Sequence, residues 1–220
     1  WRRTLRVRVP AQPRVIFFVA LGAMHLSRKG AARLLALSTF GFPERSHSFE
    51  ALQVRFCADV SRDSCLQLEL ALQNAVTQRS SIMARLKQGI EADVELPPLP
   101  IGVHVSSNGG SLLSALHMYD VMRGIPNLHT HVEGLVASAA TLFTVSGSHR
   151  TMTKHSMMLV HQPSTNVHET LKFTDVRDEM INLQKCTRAL VDIYREATTM
   201  EPDVIIALLQ NEQYLTAPEC

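Results

Sequence analysis

The feature that most constrains how this chain folds is a strand, a turn and a helix that follow one another twice. Residues 101–105 are apolar in the manner of a buried strand, a glycine pair follows, and residues 111–122 have helical character. The order recurs over residues 128–145, where an alternating strand is broken at Gly134 and a run of small and apolar residues follows. Strands that alternate with helices predict an α/β fold of right-handed βαβ units, whose sites gather at the carboxyl ends of the strands.

Other segments extend this pattern on both sides. They are a strand at residues 52–56, a helix from Ser61 towards Leu86, a proline-rich loop at 95–100, a third strand at 157–161 and a helix at 168–199. The last helix has one apolar stripe and a length of about 45 Å at a rise of about 1.5 Å per residue, more than a core of this size needs. We therefore expect part of it to project and to pair with another subunit.

The charge of the chain is divided unevenly along its length. Eight basic residues and no acidic ones precede Glu44, whereas the remainder holds 14 basic and 20 acidic residues, a net charge of −6. The prediction is a basic leader at 1–47, either a transit peptide or a disordered segment, before a folded domain at 48–220. An acidic domain argues against nucleic-acid binding, and the longest apolar run, residues 15–24, is too short to cross a membrane.

Cysteine and histidine usage predicts neither a disulfide framework nor a metal site. The four cysteines are scattered without a CxxC pair, which suits a reducing compartment, either the cytoplasm or the interior of an organelle such as a plastid or mitochondrion. His129 and His131 share one strand face, but no third ligand is evident. Because no phosphate-binding GxxxxGKS/T motif occurs, we expect the chain to bind no ATP, and we predict no metal or other cofactor.

Three groups with catalytic potential fall at successive strand ends. Gly109 and Gly110 let the backbone approach a ligand with N–H groups outward, Ser138 lies near a helix start among small residues, and His161 ends the third strand. Each also has a structural interpretation, as a tight turn, a closely packed helix face and a hydrogen-bonded core histidine. Because all three share one edge of the predicted sheet, together they favour a hydrolase with a serine nucleophile and an imidazole base.

Four segments in order resemble the motifs of a known family. They are SSNGGS at 106–111, GLVAS at 134–138, MLVHQP at 158–163 and YLTAPE at 214–219. These look like the ordered motifs of the ClpP peptidases, the proteolytic subunits of ATP-dependent Clp proteases, over roughly residues 50–220. The resemblance implies a ClpP/crotonase-like fold in which the helix at 168–199 is the projecting handle, and a domain that is cut short at its C-terminus.

The resemblance also implies a catalytic triad. It makes Ser138 the nucleophile and His161 the general base, and it places the third member at Glu212, where the family usually has Asp. A glutamate can hold an imidazole in such a triad, although the geometry has to adapt to its longer arm. Asp175 and Asp178, on the long helix, are the alternative acids.

Two backbone N–H groups complete the implied site. Gly110 and Ala139 match the positions that form the oxyanion hole, and Gly109 and Gly110 match the segment beside which a peptide binds as an added strand. Two further residues depart from the family pattern, since Asn108 replaces a proline and Ala139 a common methionine. Neither departure removes a catalytic atom.

The expected function is that of a serine endopeptidase with broad specificity that cleaves unfolded polypeptides. The resemblance implies that like subunits form stacked heptameric rings and that a separate AAA+ Clp unfoldase supplies them with substrate. The charge and the short apolar run predict no nucleic-acid or membrane partner. Two alternatives remain open: a catalytically inactive ring subunit of the same fold, and a crotonase-type acyl-CoA enzyme that uses glycine N–H groups to hold a thioester enolate.

Overall fold

The computed structural model of this 220-residue chain describes residues 52–88, 96–166 and 170–220. The basic leader predicted for residues 1–47 lies outside these ranges, so its assignment as a transit peptide or a disordered segment stays a prediction. In the described ranges, no helix combines the length and apolarity needed to span a membrane.

The described residues form six strands, five α-helices and one short 3-10 helix. In chain order they are β1 (Gln53–Phe56), α1 (Arg62–Lys87), β2 (Ile101–Ser107), α2 (Leu112–Arg123), β3 (Leu128–Ala137), the 3-10 helix (Ser138–Ala140), α3 (Thr141–Val145), β4 (His149–Met152), β5 (Met157–Leu159), α4 (Phe173–Ala197), α5 (Pro202–Gln210) and β6 (Tyr214–Thr216). The predicted α/β fold is confirmed.

The strands form one mixed sheet in the order β1-β2-β3-β5-β6, and β4 also pairs with β3. The four pairings among β1 to β5 are parallel, and β6 runs antiparallel to β5. The carboxyl ends of β2, β3 and β5 therefore lie side by side at one edge, which is where the three predicted catalytic groups fall.

The prediction that Gly134 ends a strand was wrong, because β3 continues through it to Ala137. Gly134 adopts φ 72°, a left-handed conformation that glycine accepts without steric cost, and it bends the strand. On one side of the bend β3 pairs with β4, and on the other side with β5. The pairing with β2 shifts register at the same place, as in a β-bulge.

Helix α1 follows directly from its sequence. The Ser61 side chain accepts a hydrogen bond from the Ser64 N–H at 3.1 Å and caps the helix at the predicted residue. The side chains of Cys65, Leu68 and Leu72, three or four residues apart, are buried against the sheet. The strands that pack against this helix are β1 and β2.

Helix α4 is shorter than predicted, since it begins at Phe173 and ends at Ala197. The first two residues of the predicted helix, 168 and 169, lie outside the described ranges. Leu190 and Tyr194 near its C-terminal end are buried, whereas Phe173 near its beginning is 82% exposed. The helix thus projects beyond the core at its N-terminal end, as expected of the handle.

Candidate active site

A cavity of about 390 Å³ lies at the carboxyl ends of β2, β3 and β5. Gly110, Ser138, Ala139 and His161 all line it, and helix α4 forms one of its walls. The structure therefore brings the predicted nucleophile, the predicted base and both predicted oxyanion donors to one cavity.

Ser138 occupies a sharp turn between β3 and the 3-10 helix. Its φ of 57° lies in the left-handed region, which a residue with a side chain adopts only when its surroundings enforce it. The hydroxyl of Thr141 donates a hydrogen bond to the Ser138 carbonyl at 2.5 Å, which helps to hold the turn. The half-buried Ser138 side chain is presented to the cavity.

Tyr194 of α4 supports this turn through a hydrogen bond with Thr141. Its buried hydroxyl lies 2.6 Å from Thr141 Oγ1, and because the Thr141 proton goes to Ser138, Tyr194 is the donor. Burial raises the pKa of Tyr194 to about 12, so the phenol keeps its proton. Sequence analysis assigned neither Thr141 nor Tyr194 to the site, because the hydrogen bonds that connect them to Ser138 form only in the folded chain.

Gly109 packs directly against the nucleophile. A Cβ at this residue would lie 2.5 Å from Ser138 Cβ and 2.7 Å from the Ala137 carbonyl oxygen, and φ is 97°. Both backbone polar groups of Gly109 are engaged within the chain: its N–H donates to Ser107 Oγ at 3.1 Å, and its carbonyl accepts from the Val60 N–H at 2.7 Å. Only glycine fits here.

Gly110 and Ala139 carry N–H groups next to Ser138. Gly110 forms a parallel bridge with Val60, and a Cβ on Gly110 would lie 2.3 Å from the Val60 carbonyl oxygen. This bridge fixes the backbone of Gly110 beside the cavity. Ala139 is the second residue of the 3-10 helix, and the first N–H groups of a helix have no acceptor within it. Both residues line the cavity.

His161 follows β5 and lies beside Glu212. The distance between His161 Nδ1 and Glu212 Oε1 is 3.8 Å, which exceeds a hydrogen bond, and the Glu212 side chain is 65% exposed. The N–H of the next residue, Gln162, donates to the Leu209 carbonyl at 2.7 Å and ties this loop to α5. Although both residues are described, no hydrogen bond joins His161 to Ser138.

The two alternative acids lie elsewhere. Asp175 accepts a hydrogen bond from the Lys172 N–H at 2.9 Å at the start of α4, and Asp178 pairs with Arg177 at 3.5 Å. Neither residue lines the cavity. Of the three acids considered, Glu212 is the one that neighbours His161.

His129 and His131 lie on the half of β3 that is farther from the cavity. His129 Nε2 lies 2.9 Å from Asn127 Oδ1, and His131 Nδ1 lies 2.5 Å from Thr151 Oγ1. Burial is the main cause that lowers the pKa of both imidazoles. No cluster of three metal-ligating side chains occurs among the residues that the structure describes.

Comparison with known proteins identifies the family. The family model described as Clp protease matches residues 59–220, which include the whole cavity. The chain belongs to the Clp protease family. It is therefore a ClpP-like peptidase, and the acyl-CoA alternative is not favoured.

The chain is similar to curated proteins named ATP-dependent Clp protease proteolytic subunit 1. It is 28% identical to that of Chlamydia pneumoniae and 29% identical to that of Chlamydia caviae, in each case over 147 residues. The matched region covers 66% of this chain and 76% of each relative.

Proposed function

We propose that this chain is a serine endopeptidase subunit that cleaves unfolded polypeptides within an ATP-dependent Clp protease. One observation carries the proposal: Ser138, His161 and the two backbone amides of Gly110 and Ala139 line a single cavity. These are the parts that acyl transfer to serine requires, namely a nucleophile, a base and oxyanion donors.

In the proposed reaction, Ser138 Oγ attacks the peptide carbonyl while His161 accepts its proton. Because Nδ1 of His161 faces Glu212, the other ring nitrogen, Nε2, is the one that serves Ser138. The N–H groups of Gly110 and Ala139 hold the tetrahedral oxyanion, and His161 then protonates the leaving amine. Water then attacks the acyl-enzyme: His161 accepts a proton from the water and returns a proton to Ser138 Oγ, which releases the acyl product. In both stages Glu212 orients the imidazole and stabilises its charge.

The peptide is proposed to bind as an extended strand beside Gly110. Main-chain hydrogen bonds supply most of the affinity in this mode and give broad specificity. Gly109 contributes differently, because its own N–H and carbonyl are occupied and its missing side chain leaves room for Ser138.

Enclosure in an oligomer fits a peptidase of broad specificity. The relatives are named as subunits of an ATP-dependent protease, and the projecting part of α4 exposes Phe173, Val176 and Met180. We propose that these side chains pair rings of like subunits, stacked as heptamers, that a AAA+ unfoldase supplies. If light scattering showed a monomer and that monomer had full peptidase activity, the proposed assembly would be contradicted.

We propose a reducing compartment for this protein because of the state of its cysteines. All four are described, and all four are free thiols. This is the expected state in the cytoplasm or in the interior of an organelle.

A fluorophosphonate probe tests the proposal directly, because it labels only an activated serine. The assembled protein should be labelled, the Ser138→Ala variant should not, and His161→Ala should be labelled at least about 100-fold more slowly. Ser164→Ala is the matched control, since this serine lines the same cavity without a proposed role. Labelling that persists in Ser138→Ala, or an assembled wild-type protein that is never labelled, would overturn the proposal; the second result would indicate an inactive ring subunit.

A further inference from the structure

We propose that Glu179 makes the cavity selective for peptides that carry a basic side chain next to the scissile bond. The inference rests on the proposed peptidase function and adds a substrate class to it. Among the described residues that line the cavity, Glu179 is the one acidic side chain, and no lysine or arginine is present to balance its charge.

Glu179 stands at the end of a stripe on α4. Asn182, Leu183, Cys186 and Leu190 follow it at helical spacing, and all of them line the cavity. Glu179 and Leu183 lie one turn apart, about 6 Å along the axis. The wall is thus apolar towards the buried end of α4 and acidic towards its projecting end.

Glu179 is half-buried as a residue, and its side chain has neither a hydrogen bond nor an ion pair with any other residue that the structure describes. The nearest arginine in sequence, Arg177, is paired with Asp178 instead. A carboxylate that lines a cavity without a partner can form a charge-assisted hydrogen bond with a bound cation. The cavity therefore favours a ligand that brings a positive charge.

Lysine and arginine side chains match both parts of this wall. Their apolar stems can lie along Leu183 and Cys186 while the charged head reaches the carboxylate, because long basic side chains bury their methylene groups and keep the charge at a polar edge. An acidic side chain in the same place is repelled by Glu179. A neutral apolar side chain gains the stem contacts alone.

Cleavage-site profiling is the first test. A mixture of unstructured peptides is digested, and the residues on both sides of each cut are identified by mass spectrometry. With wild-type protein, Lys and Arg next to the cut should be enriched about threefold to tenfold over norleucine or Leu. Glu179→Gln should remove the enrichment, and Glu179→Lys should reverse it in favour of acidic residues.

A matched control separates this effect from a general charge effect. Asp192→Asn removes a carboxylate from the same helix at an exposed residue that does not line the cavity, and it should keep the wild-type profile. Cuts that depend on Ser138 but show the same profile in wild type, Glu179→Gln and Glu179→Lys would overturn the inference and leave the peptidase proposal intact.

Peptide binding provides a readout that needs no turnover. Two fluorescent peptides that differ only by lysine or norleucine are titrated into Ser138→Ala, with and without Glu179→Gln. Lysine should bind about threefold to tenfold more tightly, and Glu179→Gln should abolish the difference. Equal affinity for both peptides in Ser138→Ala would overturn the inference even if the protein proved catalytically inactive.

Discussion

Ser138 and His161 line the same cavity, but the turn that carries Ser138 and the pair formed by His161 and Glu212 are held in different ways. Around Ser138, the Thr141 hydroxyl donates at 2.5 Å to the backbone carbonyl, and Gly109 packs so closely that no side chain fits. Around His161, the neighbouring carboxylate stands 3.8 Å away and is largely exposed to water. Packing holds the proposed nucleophile, Ser138, whereas only a weak electrostatic contact links the proposed acid, Glu212, to His161.

In the proposed mechanism, the two halves of the site therefore contribute differently to catalysis. A nucleophile held at a strained φ needs no reorganisation when substrate arrives, so small displacements there are costly. An exposed carboxylate is screened by water, and its influence on the imidazole is modest. We therefore expect a steep response to substitutions around Ser138 and a shallow response around Glu212.

The largest effect is expected for Gly109→Ala. The added Cβ would overlap Ser138 Cβ at 2.5 Å, and alanine tolerates φ 97° poorly, so the turn must shift. Peptidase activity should fall by about 100-fold or more, since a displacement of about 1 Å can cost that much. Gly124→Ala is the control, because its Cβ would meet its nearest neighbour at an ordinary 3.4 Å. An active Gly109→Ala variant would show that the turn is not tightly packed.

Glu212→Gln should have a smaller effect, a loss of about tenfold or less in kcat/KM. The neutral amide removes only the charge of a group that is exposed and beyond hydrogen-bond distance from His161. Steady-state hydrolysis of a short peptide measures the loss, with the exposed Glu201→Gln as control. A loss of about 1000-fold or more would mean that Glu212 is engaged as tightly as a buried triad acid, and the contrast with Ser138 would fail.

Tyr194→Phe tests the support beneath the turn. The variant removes the phenol proton that the buried Thr141 oxygen accepts, and it should lower the free energy of unfolding by about 1 kcal/mol. Chemical denaturation measures this loss, and peptidase activity should fall only a few-fold because Thr141 still donates to Ser138. The exposed Tyr214→Phe should change neither quantity. If the free energy of unfolding of Tyr194→Phe were unchanged, the hydrogen bond from α4 would not stabilise the turn.

The smallest effect is expected at the far half of β3. The pKa of His131 is lowered mainly by burial and secondarily by His104 and His129, against an opposing effect of Glu133. As the pH falls below the unfolded value of about 6.5, the unfolded chain takes up a proton that the folded chain resists, so stability is lost on acidification.

His131→Gln should reduce this loss. Thermal unfolding at pH 7.5 and pH 5.5 measures it, and the drop in Tm should shrink by about 2 °C relative to wild type. Peptidase activity at pH 7.5 should not change, because His131 does not line the cavity. A larger drop in Tm for the variant would contradict the sign of the pKa shift.

Much of the fold could be predicted because local signals were strong. Ser61 capped α1 at the expected residue, and the apolar run of β2 became a central buried strand. The strands β4, β5 and β6 have only three or four residues, too few for periodicity to define their limits. Sequence analysis named no separate β4, and it did not predict α5, which follows Pro202.

The candidate site was predictable in its residues but not in its supports. Glycine pair, small-flanked serine and strand-end histidine were visible because parallel strands bring their carboxyl ends to one edge. The bend at Gly134 was mistaken for the end of a strand, because a glycine looks the same in the sequence whether it ends a strand or bends one. Glu179 had no signal at all, because an acidic residue on an amphipathic helix normally faces water.

The amino-acid sequence by itself determined the family, the order of the central strands and helices, and the identity of the candidate catalytic groups. Tertiary structure alone decided that Gly109 lies against Ser138, that Tyr194 reaches Thr141, and that Glu212 rather than Asp175 or Asp178 neighbours His161. The physical reason is range. Propensity and periodicity act between neighbours in the chain, whereas these contacts join residues 29 to 53 positions apart and exist only after the sheet and α4 have packed together.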